Sequence, residues 1–168
     1  MTTLHLLRHA KSSWADEELS DHDRPLAPRG RRAATAMAEL LRERGVAPEL
    51  VLCSSARRAR ETLDLVGPAL APGARVLVED GLYGASAEEL LERLRRVPAP
   101  TASVMLVGHN PSMQDLALAL AAPGAETERL RAKFPTGALA TLRIPAGGWA
   151  DLRRRGAELV DLVLPREL

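Results

Sequence analysis

Leu4-His5-Leu6-Leu7-Arg8-His9 is the stretch on which the reading of this chain turns. An apolar run ends on an arginine and a histidine side by side. A buried strand that delivers such a pair to its carboxyl end sets an anion clamp next to a nitrogen nucleophile, and in an α/β sheet that edge is where ligands bind. The arrangement returns near residue 109, where Val104-Met105-Leu106-Val107 runs into Gly108-His109-Asn110-Pro111. Between the two, Leu50-Val51-Leu52-Cys53 leads into Ser54-Ser55-Ala56-Arg57-Arg58-Ala59-Arg60-Glu61-Thr62. Three strand ends carrying two histidines and several arginines read as a phosphate site.

Strand and helix patterns alternate on either side of these three stretches. Residues 10–27 form a long polar loop, and a loop of that length in a compact domain is usually functional. Pro28 opens a helix on which Ala33, Ala34, Met37, Leu40 and Leu41 recur at helical spacing, and Gly45 stops it. A second helix runs from Arg57 to about Leu70, a strand covers 76–78, and Ser86 with Glu89 makes a capping box for a short helix to Arg95. Residues 103–107 are a strand, Asn110-Pro111 starts a helix through Leu120, and 123–128 is a loop. Gly137–Ile144 and Leu159–Leu164 form an antiparallel pair across Gly147-Gly148. The pattern is a single domain over residues 1–168, a three-layer α/β/α sandwich with a mostly parallel central sheet and an antiparallel C-terminal strand pair.

Composition narrows the function classes. With 2% aromatic residues against 46% apolar ones, the core is built from Leu, Val and Ala. A formal charge of +1, with the arginines dispersed along helices, argues against nucleic acid or an acidic membrane as partner. Lysine occurs only at positions 11 and 133, a scarcity that a GC-rich coding sequence explains. Cys53 is the only cysteine, so no intramolecular disulfide forms; this fits a reducing, cytoplasmic setting, with Cys53 as core filler. Met1-Thr2-Thr3 runs straight into a strand without a basic segment or a long apolar one, so no signal peptide is expected. The apolar run Leu116–Ala122 is too short to span a bilayer.

The chemistry follows from the residue types. A transferred phosphoryl group spreads its charge over three oxygens, and its transfer is catalysed mainly by positioning and charge stabilisation. Arginine offers a planar fork of donors that never deprotonates, and Arg8 and Arg58 supply two. A neutral imidazole attacks phosphorus directly, and nearby guanidinium charge keeps His9 unprotonated for that role. His109, before a helix start, adds a donor and backbone N–H groups. The four histidines lack any paired spacing with carboxylates, and arginine-rich surroundings repel cations, so neither metal nor other cofactor is expected. His5 reads as a packed strand residue. His22 is either a solvated loop residue or part of the cleft entrance, Lys11 and Ser12-Ser13 either touch phosphate or face solvent, and Trp14 either flanks the cleft or anchors the loop.

These motifs resemble the histidine phosphatase superfamily. Leu6-Leu7-Arg8-His9-Ala10 is similar to its Arg-His-Gly signature, Ser54–Thr62 to its serine pair followed by Arg-Ala-x-x-Thr, and Gly108-His109-Asn110 to its late Gly-His element. Ala10 in place of Gly, the run Ser20-Asp21-His22-Asp23-Arg24-Pro25-Leu26, and Leu82-Tyr83 before a helix resemble the short SixA-like phosphohistidine phosphatase branch. The resemblance implies His9 as the nucleophile that becomes phosphorylated, with Arg8, Arg58 and His109 as catalytic groups that bind the phosphoryl oxygens. Arg58 takes the family position because it precedes Ala59 and follows Ser55 by three residues; Arg57 and Arg60 become solvated helix residues. The chain departs from the family at Ala15, where many members carry Asn. It also departs after the third strand, where Glu79 and Asp80 occupy the region of the usual general acid without its pattern. A phosphoramidate, whose leaving nitrogen arrives protonated, needs that acid less than an alkyl ester does.

The leading expectation is therefore a phosphatase working through a phosphohistidine intermediate, on a phosphohistidine protein or a small phosphorylated metabolite. The alternatives are a broad phosphatase for small esters, which an efficient acid at Glu79 would favour, and a phosphate-recognition module without turnover, which the presence of His9 disfavours.

Overall fold

Leu4 and Leu6 pack on one side of the first strand and Leu7 on the other, and the same alternation separates Leu52 from Val51 and Cys53, and Val104 and Leu106 from Met105 and Val107. Side chains on a strand alternate between faces, so a strand that is apolar on both must be covered on both. The computed structural model describes residues 2–145 and 147–168; Met1 and Ala146 lie outside them. The elements run β1 (Thr2–Arg8), α1 (Pro28–Glu43), β2 (Leu50–Ser54), α2 (Arg57–Val66), β3 (Arg75–Glu79), α3 (Ala87–Arg95), β4 (Ser103–Gly108), α4 (Ser112–Leu120), α5 (Ala125–Ala132), β5 (Leu139–Ile144) and β6 (Glu158–Val163).

The strands form one sheet in the order β3-β2-β4-β1-β5-β6. The pairs β3-β2, β2-β4 and β4-β1 are parallel, while β5 is antiparallel to both β1 and β6. Met37 and Leu41 of α1, with Ala59 and Val66 of α2, cover the Leu7 face. Leu90 and Leu94 of α3, Met113 and Leu116 of α4, and Leu130 of α5 cover the Leu4 face. The result is the three-layer sandwich expected, and truncating a central residue such as Leu41 or Leu106 to Ala would cost about 2–5 kcal/mol.

Most element ends follow local chemistry. Pro28 occupies the first turn of α1, and Gly45 at φ 61° ends it in a left-handed conformation. Ser86 and Glu89 exchange both capping-box hydrogen bonds at 3.1 Å. The second helix stops at Val66, before the reach expected to Leu70, because Pro68 has no N–H to continue the ladder; Gly67–Ala69 is a 3-10 turn instead. The helix after β4 begins at Ser112, with the Asn110–Pro111 peptide cis and Asn110 Oδ1 accepting from the backbone N–H of Gln114 at 3.2 Å.

Residues 123–128 are not the loop that the sequence reading expects. The helix α5 starts at Ala125, and only Thr127 and Leu130 of it are buried, so its apolar face leaves almost no periodic trace. Between β5 and β6, Trp149 is fully buried and its Nε1–H donates to the Thr101 carbonyl at 2.8 Å. Cys53 is buried on the α1 side, as expected of a core filler. Among the described residues no helix is long and apolar enough to cross a membrane.

Candidate active site

Parallel pairing brings the carboxyl ends of β1, β4 and β2 side by side, with Arg8 level with Gly108 and Cys53 level with Val107. Arg8-His9, His109 and Ser54-Ser55 therefore meet at one sheet edge. The cleft there, about 340 Å³, is lined by Arg8, His9, Arg58 and His109 together with Lys11, Ser12, Trp14, Arg24, Asn110 and Thr136. The four residues singled out from sequence thus share one cleft.

His9 is buried, and its backbone N–H donates to the Gly108 carbonyl at 3.0 Å. Its Nδ1 lies 2.7 Å from the Ala10 carbonyl, an acceptor only, so Nδ1 carries the proton and the lone pair is on Nε2. Burial above all, with smaller contributions from His109, Arg58 and Arg8 and against the Ala10 hydrogen bond, pushes the His9 pKa down to about 3. The ring is a neutral base near pH 7. His109 stands 5.1 Å away between ring centroids, tilted by 56°. Its Nε2 lies 2.7 Å from Ser54 Oγ, and burial, reinforced by the Arg58 charge, pushes its pKa down to about 4.

The two arginines are held differently. Arg8 donates through one terminal nitrogen to the Phe134 carbonyl at 2.9 Å. Its Nε is the one buried side-chain polar atom without a hydrogen-bond partner among the described residues. A buried N–H without a partner costs about 1–3 kcal/mol, which an anion in the cleft would offset. Arg58, in the first turn of α2, is buried and donates to the Asp21 carbonyl at 2.7 Å and to Asp21 Oδ2 at 3.0 Å. Arg57 is exposed and pairs with Glu61 at 3.0 Å, and the exposed Arg60 donates to the Ser55 carbonyl at 2.8 Å. Of the three neighbouring arginines only Arg58 faces the cleft, in the register the motif implies.

The long loop earns its length through Asp21. Its carboxylate accepts from Arg58, from Arg24 at 2.8 Å and from the Tyr83 hydroxyl at 2.6 Å. The Tyr83 hydrogen bond first, with Arg58 and Arg24 adding to it, holds the Asp21 pKa down at about 2. Tyr83 presents its ring edge-on to both His22 and His109, at 4.8 Å and 5.6 Å between centroids. His22 Nε2 lies 2.9 Å from Ser55 Oγ, so the His22 ring is held against the start of α2 and the Tyr83 ring rather than free in solvent. Trp14 is 73% exposed and the Arg24 guanidinium lies 3.3 Å over its ring. Arg24 also hydrogen-bonds Ser12 Oγ, which takes that serine up in loop structure.

Three features hold the carboxyl end of β1. The buried Thr62 hydroxyl donates to the Arg58 carbonyl at 2.7 Å and accepts from the Ala10 N–H at 3.0 Å, joining α2 to β1. Gly137, at φ 78°, donates to the His9 carbonyl at 2.9 Å. Gly30 lets α1 press on the loop: a Cβ there would lie 2.1 Å from the Lys11 carbonyl oxygen. Ala10 replaces glycine without strain, since it lacks a positive φ and packs against Leu26 and Ala34.

Glu79, weighed as a general acid, falls outside the cleft, as does His5, read as a packed strand residue. Glu79 is gripped by Arg93 at 2.8 and 3.0 Å, which holds its carboxyl below the usual range, and it lines a separate pocket with α3. A carboxylate so ionised and so placed is no proton donor to the cleft. His5 is buried with Nδ1 3.3 Å from Thr141 Oγ1, and burial lowers its pKa to about 4. Among the described residues no three His, Cys, Asp or Glu side chains are grouped to hold a metal ion. Sequence reasoning gave no role to Asp21, Tyr83, Thr62 or the Phe134 carbonyl. The motif runs contain the first three, but their partners lie 37 to 62 positions away.

A sequence profile of the histidine phosphatase superfamily (branch 1) matches residues 4–85. An uncharacterised protein of Mycobacterium tuberculosis is 42% identical over 164 residues, which cover 95% of this chain and 100% of that protein. A solved structure from Nakamurella multipartitia, provisionally assigned as the phosphohistidine phosphatase SixA, is 38% identical. It matches with a TM-score of 0.85 over 98% of this chain and 96% of that one. A structure from Agrobacterium tumefaciens with the same provisional assignment is 33% identical, with a TM-score of 0.81 over 98% of both chains.

Proposed function

The chain belongs to the histidine phosphatase superfamily and is a histidine-type phosphatase; from that premise we propose that it removes the phosphoryl group from phosphohistidine side chains of a protein, through a phosphohistidine intermediate on His9. The observation that carries this reading is the His9 ring, neutral and fixed by the Ala10 carbonyl with its Nε2 lone pair free, beside an Arg8 Nε that has no partner.

In the first step the Nε2 lone pair forms a bond to phosphorus as the substrate P–N bond breaks. The leaving imidazole keeps the electron pair of that bond. With its other nitrogen already protonated it departs neutral and needs no proton from the enzyme. Arg8 and Arg58 take the charge on the phosphoryl oxygens. His109, whose Nε2 is held at 2.7 Å from Ser54 Oγ, donates to a phosphoryl oxygen in the tautomer that carries its proton on Nδ1. In the second step water attacks phosphorus, the P–Nε2 bond breaks, and inorganic phosphate leaves with neutral His9.

The substrate class rests on the missing acid. Glu79 is engaged elsewhere, and the carboxylate nearest the arginines, Asp21, is held ionised by Tyr83, Arg58 and Arg24. Alkyl esters need a proton on the departing oxygen, while phosphohistidine and aryl phosphates do not. The exposed Trp14 ring at the cleft wall suits the flat leaving imidazole. This combination disfavours the broad ester phosphatase.

The test is to trap the intermediate. Brief reaction with a histidine-phosphorylated peptide followed by alkaline denaturation should leave acid-labile phosphate on the wild-type protein and none on His9→Ala, whose turnover should vanish while its melting temperature stays close to wild type. Phosphate on another residue, or alkyl phosphates turned over as well as the phosphopeptide, would overturn the reading.

A further inference from the structure

The chain's only two lysines, Lys11 and Lys133, come together beside the cleft. With Arg29 of α1 and Arg166 they line a groove of about 260 Å³, floored by Pro135 and Pro165. Lys11 and Thr136 line both this groove and the cleft that holds His9, so the two are continuous. All four cations are exposed, and among the described residues none of them makes an ion pair. Exposed arginines elsewhere are mixed among the described residues: Arg42 pairs with Glu39 and Arg154 with Glu88, while Arg31, Arg75 and Arg96 make no ion pair; what distinguishes these four cations is that they line one groove. Even Glu167, next in sequence to Arg166, is taken by Arg129.

Four like charges that line one groove without a direct ion pair repel one another, and on a chain of net charge +1 such a concentration marks where a negative partner comes. We propose that this groove receives the carboxylates of acidic residues that flank the phosphohistidine of the substrate protein, a proposal that rests on the function proposed above. The cations stand on four separate segments around an open trough, which fits a protuberant protein surface better than a small anion that would need enclosing. The close approach of α1 to the Lys11 backbone at Gly30 fixes the spacing between Lys11 and Arg29 across the groove. The transferred phosphoryl group would bind between Arg8 and Arg58, and the acidic side chains one step along the same channel would set the orientation of the substrate protein.

Two histidine-phosphorylated peptides test this, one with glutamates flanking the phosphohistidine and one with glutamines. At low ionic strength the wild-type protein should hydrolyse the glutamate peptide with a kcat/KM about tenfold higher, and salt should erase the difference. Lys133→Glu with Arg166→Glu, both outside the cleft, should abolish or invert the preference while the glutamine peptide is hydrolysed as by wild type. Equal kcat/KM for the two peptides in wild type, or an equal loss on both in the double variant, overturns the proposal. If neither peptide is hydrolysed, the phosphohistidine reading fails, and fluorescence anisotropy with the unphosphorylated glutamate peptide decides the groove by itself. Binding that the double variant loses retains the groove as an acidic-peptide site; no binding to wild type, or equal binding to both proteins, overturns it.

Discussion

Replacing Arg58 with Ala should lower kcat/KM by about two orders of magnitude, while replacing its neighbour Arg57 should change it by less than about threefold. The two residues differ by one position and by which side of α2 they occupy. Arg58 is buried in the cleft with its fork fixed by two hydrogen bonds to Asp21. A preorganised charged donor aimed at a transferring group is worth about 3 kcal/mol or more, and each 1.36 kcal/mol is a decade in rate, hence about a hundredfold. Arg57 is exposed, and its i,i+4 pair with Glu61 is of the kind worth about 0.3–0.5 kcal/mol, roughly a factor of two. The assay is steady-state hydrolysis of an aryl phosphate and of a phosphohistidine peptide, with melting curves beside it because Asp21 loses a partner in Arg58→Ala. Arg58→Lys should fall between, since a lysine keeps the charge and loses the fork. Similar losses in Arg57→Ala and Arg58→Ala, at intact melting temperatures, would refute the register and the clamp together.

Three further outcomes follow from the same geometry. Glu79→Gln should leave phosphohistidine hydrolysis within about twofold of wild type, since the carboxylate is bound by Arg93 away from the cleft; a large fall in kcat, or loss of an acidic limb of the pH profile, would return Glu79 to the mechanism. Asp21 has a folded pKa of about 2, below its ordinary 3.8, so its stabilisation is complete above about pH 4 and is lost as pH falls toward 2. The melting temperature of Asp21→Asn should accordingly lie below wild type at pH 7 and converge with it near pH 2; a gap independent of pH would mean that the charge of Asp21 is not what holds the loop. Activity should survive exhaustive dialysis against EDTA, because two arginines and two neutral imidazoles suffice to hold the phosphoryl group; loss on chelation with recovery on adding a divalent ion contradicts that.

The parallel half of the sheet is written in residues that alternate between two apolar faces, as in Leu50–Cys53 and Val104–Val107, and that pattern requires no knowledge of the partner strands. The same holds for Arg8, His9 and His109, which follow directly on those runs. The helix α5 escaped because a short helix with two buried residues has hardly any stripe to detect. Its consequence for the site, the Phe134 carbonyl that holds Arg8, was out of reach for the same reason. Asp21 illustrates a different limit. Nothing in Ser20-Asp21-His22 distinguishes it from other acidic loop residues; its role exists only because Arg58 and Tyr83 arrive from 37 and 62 positions away to join Arg24 of the same loop. Glu79 shows the converse, a residue at the right point in the sequence whose side chain is turned to Arg93 on the other flank.

The two tryptophans, at opposite extremes of exposure, give the protein a pair of optical reporters. Trp149 is sealed in the core with its indole N–H bonded, so its emission should be blue-shifted and inaccessible to collisional quenchers until the sheet comes apart. Trp14 stands in solvent at the mouth of the cleft under a guanidinium, so its emission should be red-shifted, readily quenched by iodide, and sensitive to whatever enters beside it. With a single tyrosine and a single phenylalanine in the chain, little else obscures the two signals. Ligand arrival and global unfolding can then be followed separately in the same cuvette, without a dye or an engineered probe.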